Sequence, residues 1–175
     1  PTRRIDRPMT RRRVPRDVDP SRALAAAAMS PARLRLIVDL MLECGLRCVE
    51  VAGVRPDRDM IDRQDGPWLH VTGKGGHERE VPLPDWLAAT LREHRGWLLP
   101  SAASRTGHLR ADTVSKLVSD ALRAGGLPAT AHQLRHTFAT LLLEASADIA
   151  TVSGATTTDQ RFDGGWTLTG GTVTT

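Results

Sequence analysis

The sequence predicts an α+β fold, mostly helical, with one small antiparallel β-hairpin sheet. Apolar residues recur at helical spacing along 34–41, 111–124 and 131–144. Two short alternating segments, Trp68–Thr72 and Arg79–Leu83, flank the glycine-rich Gly73-Lys74-Gly75-Gly76. The 175 residues are 40% hydrophobic and 25% charged, enough for one domain with a substantial core and unlike a disordered chain.

In chain order, residues 1–20 are rich in Arg, Pro and Asp and form a basic arm expected to be disordered or loosely docked. A short helix is predicted over Ser21–Met29. A second begins with Ser30 as cap and Pro31 in its first turn, and carries the stripe Leu34, Ile37, Val38 and Met41. Gly45 breaks it, and Leu46–Val54 starts a new helical turn with Arg47 and Glu50. Asp59–Asp62 reads as a weak strand and Asp65-Gly66-Pro67 as a turn, before the hairpin. Helices follow over Trp86–His94, with Leu87, Thr90 and Leu91 on one side, and over Ala111–Ala124, with Val114, Leu117, Val118, Ala121 and Leu122. Gly125-Gly126 ends the latter, and Trp97–Ser104 is irregular. The last predicted helix is Ala131–Glu144, burying Phe138, Leu141, Leu142 and the adjacent alanine.

The core is thus expected over 21–152, and 153–175 forms a divergent low-complexity tail. Residues 151–175 hold nine Thr and five Gly and few large apolar groups, so they can bury little surface. Residues 1–16 hold seven Arg and one Asp, a net charge of +6; the whole chain carries +4, leaving −2 for the rest. The pI near 10.0 therefore reflects the arm, which fits contact with nucleic acid or an acidic surface through Arg3, Arg4, Arg7, Arg11, Arg12 and Arg13. A solvated tail with no role is the plain alternative. No apolar run is long enough to span a bilayer as a helix. Cys44 and Cys48, with no further cysteine to complete a zinc site, read as reduced thiols of a cytoplasmic protein. The chain begins at Pro1 without a Met, which points to sequence upstream.

The chemistry-bearing residues concentrate in Ala131–Glu144, AHQLRHTFATLLLE. His132 and Arg135 are three apart, so at a helix start they project from one side. An imidazole moves protons near neutral pH, and a guanidinium can hold two oxygens of one phosphate. On its own, His-x-x-Arg more often describes a solvated first turn. Arg47 and Glu50 in CGLRCVE could likewise be a surface pair worth little, and Lys74 an ordinary turn lysine. The glycines beside Lys74, however, would let the backbone approach a ligand closely.

Taken in order, CGLRCVEV, VTGKGGHEREVPLP and AHQLRHTFATLLLEASADIATV strongly resemble the catalytic domain of the tyrosine recombinase (phage integrase) family, over about residues 30–152. Type IB topoisomerases share the underlying logic, but the blocks look like those of integrases. The resemblance implies that Arg47 and Arg135 clamp the scissile phosphate, Lys74 protonates the leaving 5′ oxygen, and His132 assists proton transfer. It further implies that Glu50 supports the site and that His136 is more structural than catalytic. The partner it implies is double-stranded DNA, with a homo-oligomer (a tetramer in the family) or a full-length recombinase. It implies no membrane, no metal and no other cofactor, in a cytoplasmic, nucleoid-associated setting.

The sequence also departs from the family pattern. Its 175 residues contain no tyrosine, the residue type the family uses as nucleophile. Counting from the last matched block puts the third-block positions near Thr158 and Thr167; with a deletion, Phe162 falls at the nucleophile's place. The expectation is a C-terminally incomplete domain, inactive alone, that also lacks the family's N-terminal helical DNA-binding domain. A frameshift or truncation accounts for the tail as well as a pseudoenzyme does. The alternatives are a non-catalytic DNA-binding protein that modulates a full-length recombinase, and an incomplete product with no stable fold.

The arm yields a direct test. Each phosphate it neutralises on duplex DNA should contribute about −0.9 to the slope of log K against log salt. If residues 1–16 neutralise about four phosphates, deleting them should flatten the slope by about 3.6. Sequence preference should barely change, because phosphate contacts read no bases. Fluorescence anisotropy across a salt series, with and without residues 1–16, measures this; an unchanged slope would leave the arm without a role.

Overall fold

The computed structural model describes residues 17–28, 30–144, 160–162 and 166–168. Helix α2 (Ala32–Glu43) forms the axis of the core. Every residue from Leu36 to Leu42 is buried, the mark of a helix covered on all sides. Its neighbours are α1 (Pro20–Ala28), α3 (Cys48–Ala52), α6 (Ala111–Ala124) and α7 (Ala131–Glu144). Asp39 lies within the buried run and is tolerated there because Arg35, one turn back, donates to both its oxygens at 2.9 and 3.2 Å. Ser30 does not cap this helix. The N-cap is Pro31, whose carbonyl accepts from Leu34 and Arg35, and no side chain caps the end. Pro31's extended ψ of 142° keeps it outside the helix and leaves Ser30 one residue too far back.

At its far end α2 stops at Gly45, whose φ of 59° suits a residue without Cβ. Leu46 N–H bonds back to the Leu40 carbonyl at 3.3 Å. The phenyl ring of Phe138 from α7 lies where a side chain at position 45 would be: an added Cβ would sit 2.3 Å from Cδ1. Gly45 thus ends one helix and receives another. The adjacent α7 residue Thr137 is buried, and its Oγ1 accepts the Val18 amide at 2.9 Å. Asp17 accepts from Thr140 at 3.1 Å and pairs with His136 at 2.5 Å. Residues 17–20, which composition assigned to the end of the arm, are therefore fastened along α7; residues 1–16 lie outside the described residues.

After the short helix α4 (Pro56–Asp59), the chain enters a three-stranded antiparallel sheet of β1 (Met60–Arg63), β2 (Gly66–Thr72) and β3 (Glu78–Pro82), in that order. The register pairs Met60 with Leu69 and Leu69 with Val81. The β2–β3 connection is a 3₁₀ turn over Lys74–Gly76, with Gly75 and Gly76 at φ of 80° and 79°. Helix α5 (Asp85–Arg92) packs Leu87 and Leu91 inward. The irregular stretch that follows is tied down by Leu98 N–H to the Val54 carbonyl (2.9 Å) and by Trp97 against His108, with ring centroids 4.6 Å apart.

Helix α6 has the boundaries that the apolar spacing predicts, and α7 starts at Ala131 and is described as far as Glu144. Not every expected core residue is buried: Phe138 and Ala139 are half-buried, and two leucines are exposed. Leu117 is 39% exposed and Leu141 38%. Leu117 sits at the margin of the stripe Val114, Val118, Ala121 and Leu122; on α7 the inward positions are Ala131, Leu134 and Leu142. In the tail, β4 (Gln160–Phe162) pairs antiparallel with β5 (Trp166–Leu168), a ladder that low-complexity composition did not signal, though threonine favours strands. Among the described residues, no helix is long and apolar enough to cross a membrane.

Replacing Gly45 with Ala should be costly twice over, through positive φ and through collision with Phe138. The two together should remove about 2–5 kcal/mol of stability, or roughly 5–15 °C in Tm. Urea and thermal denaturation of Gly45→Ala measure this; a change within about 0.5 kcal/mol, the level of an ordinary surface substitution, would contradict the packing described.

Candidate functional site

The site is built around the carboxylate of Glu50, whose side chain is 1% exposed. Glu50 lies in the first turn of α3 and Arg47 is the residue that caps that helix. Oε2 accepts the Arg47 backbone N–H at 2.7 Å, and Oε1 accepts Arg47 Nη1 at 2.9 Å. From β3, Arg79 donates Nη2 to Oε2 at 2.8 Å and Nε to Oε1 at 3.3 Å. Each oxygen therefore has two donors, the full complement of a carboxylate. Burial opposes ionisation of Glu50, but the hydrogen bonds and charge of Arg79, together with the backbone and side-chain hydrogen bonds from Arg47, hold its carboxyl below the usual range.

Arg135 comes from the second turn of α7 and donates Nη1 to the Gly45 carbonyl. The Phe138–Gly45 contact one turn later docks α7 at that point. The Arg135 guanidinium is pushed down to about 10, chiefly by burial and then by repulsion from Arg47 and Arg79, with Glu50 partly offsetting them. Among the described residues, Arg47, Arg79 and Arg135 thus gather around the Glu50 carboxylate, three positive charges against its one negative charge. An anion with several oxygens would relieve that repulsion. Arg47 is the accessible member, with its side chain 47% exposed, whereas that of Arg79 is 5% exposed.

The sequence-predicted residues divide as follows. Arg47, Glu50 and Arg135 are brought together from α3 and α7. His132 is exposed in the first turn of α7, three residues before Arg135. Lys74 opens the hairpin turn, though its side chain is outside the described residues. Its neighbour Gly73 lies against the site: a Cβ there would be 3.3 Å from Glu50 Oε1. His136 faces the chain entering α1, pairing with Asp17. Phe162 and Thr167 lie on β4 and β5, opposite Trp166 and Arg161 respectively; their side chains, and Thr158 altogether, are outside the described residues, as are Arg3, Arg4, Arg7, Arg11, Arg12 and Arg13. Arg79 was missed. The period of two puts it on the same strand face as buried Val81, and a charge on an inward face requires a buried counter-charge. That signal was present in the sequence.

These features define a recombinase-type catalytic domain, and comparison with known proteins gives the family. The model of the phage integrase family matches residues 17–156, so the chain belongs to the phage integrase family, and it carries a tyrosine recombinase catalytic domain. Tyrosine recombinase XerD of Caulobacter vibrioides is 32% identical over 176 residues, covering 87% of this chain and 56% of that protein. Among solved structures, the integrase from mycobacterium phage Brujita superposes with a TM-score of 0.68 at 29% identity, covering 86% of this chain and 52% of the other. A lambda integrase dimer bound to a COC′ core site gives 0.58 at 25% identity, covering 78% and 42%. The chain spans about half the length of the curated relatives it matches.

Removing the Glu50 charge should expose its importance. Glu50→Gln leaves Arg79 buried without a counter-charge and should cost about 3–5 kcal/mol at neutral pH. Because the folded-state pKa of Glu50 is lowered, its stabilising charge is present above the usual carboxylate range and is lost as pH falls through the folded value. The gap between the original chain and Glu50→Gln should therefore close in acid. Urea denaturation across pH tests this; a gap that stayed constant into acid would contradict it.

Proposed function

We propose that this chain supplies the phosphate-clamping part of a site-specific DNA recombinase. It binds duplex DNA, and Arg47 and Arg135 hold the non-bridging oxygens of the scissile phosphodiester. The observation that carries this reading is the pair of guanidiniums gathered around one already satisfied carboxylate, with surplus positive charge. Membership of the phage integrase family supports it, as does the likeness to an integrase dimer bound to a core site.

Attack on a phosphodiester builds negative charge on the equatorial oxygens of a five-coordinate transition state. Two fixed guanidiniums stabilise that charge where it develops, with paired hydrogen bonds and little reorganisation. The leaving 5′ alkoxide needs a proton, which Lys74 supplies from the hairpin turn, with His132 assisting. Cleavage in this chemistry proceeds through a tyrosine hydroxyl and a covalent 3′-phosphotyrosyl bond, which conserves the bond energy for rejoining. These 175 residues hold no tyrosine, so the nucleophile comes from outside them. Further copies of these 175 residues in a homo-oligomer, such as four across two duplexes, hold no tyrosine either and cannot bring it; association with a full-length recombinase can.

The missing tyrosine also favours a second reading, in which the chain occupies recombination sites without cutting and modulates an active partner. A nicked suicide duplex separates the two. Alone, the 175 residues should form no covalent adduct on a denaturing gel. Mixed with a relative disabled at its own clamp arginines, cleavage should return if this clamp is functional, and Arg47→Ala or Arg135→Ala should abolish the rescue. Binding without rescue would favour the modulator; an adduct formed by the chain alone would refute the account of the nucleophile.

A further inference from the structure

Arg79 has no part in the chemistry above, yet it is the most deeply buried arginine of the cluster and gives Glu50 two hydrogen bonds, at 2.8 and 3.3 Å. Arg47 gives Glu50 only one of its five side-chain N–H donors, at 2.9 Å, besides its backbone amide. The bonds divide evenly. On each carboxylate oxygen, one lone pair is taken by Arg79 and the other by Arg47. A carboxylate left with a single guanidinium partner draws it into a two-bond fork, which uses the very donors that a phosphate needs.

We propose that Arg79 is a positioning residue for the clamp: by filling half of the Glu50 carboxylate, it anchors Arg47 through a single side-chain bond and leaves the rest of its fork for the phosphate. The proposal rests on the clamp reading above and deepens it. Arg79 is also in the stem of the hairpin that carries Lys74, and Gly73 of that hairpin abuts Glu50 Oε1. The same carboxylate therefore registers the hairpin against the clamp. Without Arg79, Arg47 turns onto Glu50 and the site loses part of its anion-binding capacity, even where the fold survives.

A role confined to stability would lower Tm and nothing else. A positioning role makes anion affinity depend on the charge of Glu50. In Arg79→Met, Glu50 loses its main counter-charge while its burial remains, so it takes up a proton at higher pH than in the original chain. Once neutral, it releases Arg47, and affinity recovers on acidification. The groups around Glu50 are Arg47 at the start of α3, Arg135 from α7 and Arg79 from β3. On the α2 side Arg79 also shares the surroundings of Cys44 with Glu43 and Asp39. Burial raises both of these carboxyls, but they titrate in either protein and cancel in the comparison.

The test is a sulfate titration at fixed ionic strength, balanced with chloride, across mildly acidic to neutral pH. It follows the Nε–Hε NMR signals of Arg47 and Arg135 in the original chain, Arg79→Met and Arg79→Lys. At neutral pH, Arg79→Met should bind sulfate about tenfold more weakly, the equivalent of one charge-assisted hydrogen bond, and regain affinity as pH falls. Arg79→Lys keeps the buried charge but cannot bond both oxygens as a planar fork; it should show a smaller loss, and it carries the test if Arg79→Met does not fold. Unchanged affinity at every pH in a folded variant, with only Tm lowered, would overturn the role of Arg79 alone. Absence of any sulfate response at Arg47 and Arg135 in the original chain would overturn the clamp reading and this proposal with it.

Discussion

The arrangement depends on one buried carboxylate with four donors. Glu50 receives the Arg47 amide, the Arg47 side chain and two nitrogens of Arg79, and through them α3 and β3 are fixed to each other. Burying a carboxylate is expensive unless its lone pairs are filled, and here they are. Its single negative charge also makes it possible for three guanidiniums to gather. Without it nothing would oppose their mutual repulsion, which adds to the larger effect of burial in pushing the Arg135 guanidinium down. Three positive charges are collected here by one charge of opposite sign, with less than full neutralisation.

Apolar packing supplies the other half of the geometry. Helix α2 is buried all round from Leu36 to Leu42 and presents its C-terminal break, Gly45, to α7. The Phe138 ring fills the space that glycine leaves, and Arg135 reaches the Gly45 carbonyl. Thr137, next to Phe138, is held by the backbone of Val18. Three neighbouring positions of α7 thus face three different tasks, and the helix can turn only as far as all of them permit. The segment that enters α1 is part of this lock, since Asp17 takes His136 and Thr140.

Much of the fold was legible in the sequence where one period dominates. The apolar spacing gives α6 to the residue, because it has a clear stripe and a glycine boundary, and it gives the start of α7. The hairpin was legible from alternation around four residues that include three glycines. The four-residue α4 and the β4–β5 ladder were not, since neither is long enough to show a period. Ser30 misled because its capping chemistry is right but the following proline sets the helix start one residue later. Leu117 and Leu141 misled because spacing marks a face and not the edge of its cover. At the site, motif order led to Arg47, Glu50 and Arg135, which meet in space although nearly ninety residues of chain separate Arg47 from Arg135. Arg79 was hidden by its neighbours: in Glu78-Arg79-Glu80 it looks like surface charge, and only the inward position of Val81 reveals its side.

The central claim is that a buried carboxylate organises two guanidiniums, one exposed and one largely buried, into a site for one tetrahedral anion. Crystals of the chain grown or soaked with tungstate, an anomalously scattering phosphate mimic, test it most directly. The account predicts one strong anomalous peak within hydrogen-bonding reach of both Arg47 and Arg135, with the Arg79–Glu50 pair intact beneath it. Tungstate bound elsewhere, with Arg47 folded two-pronged onto Glu50 and no density between the two guanidiniums, would contradict it.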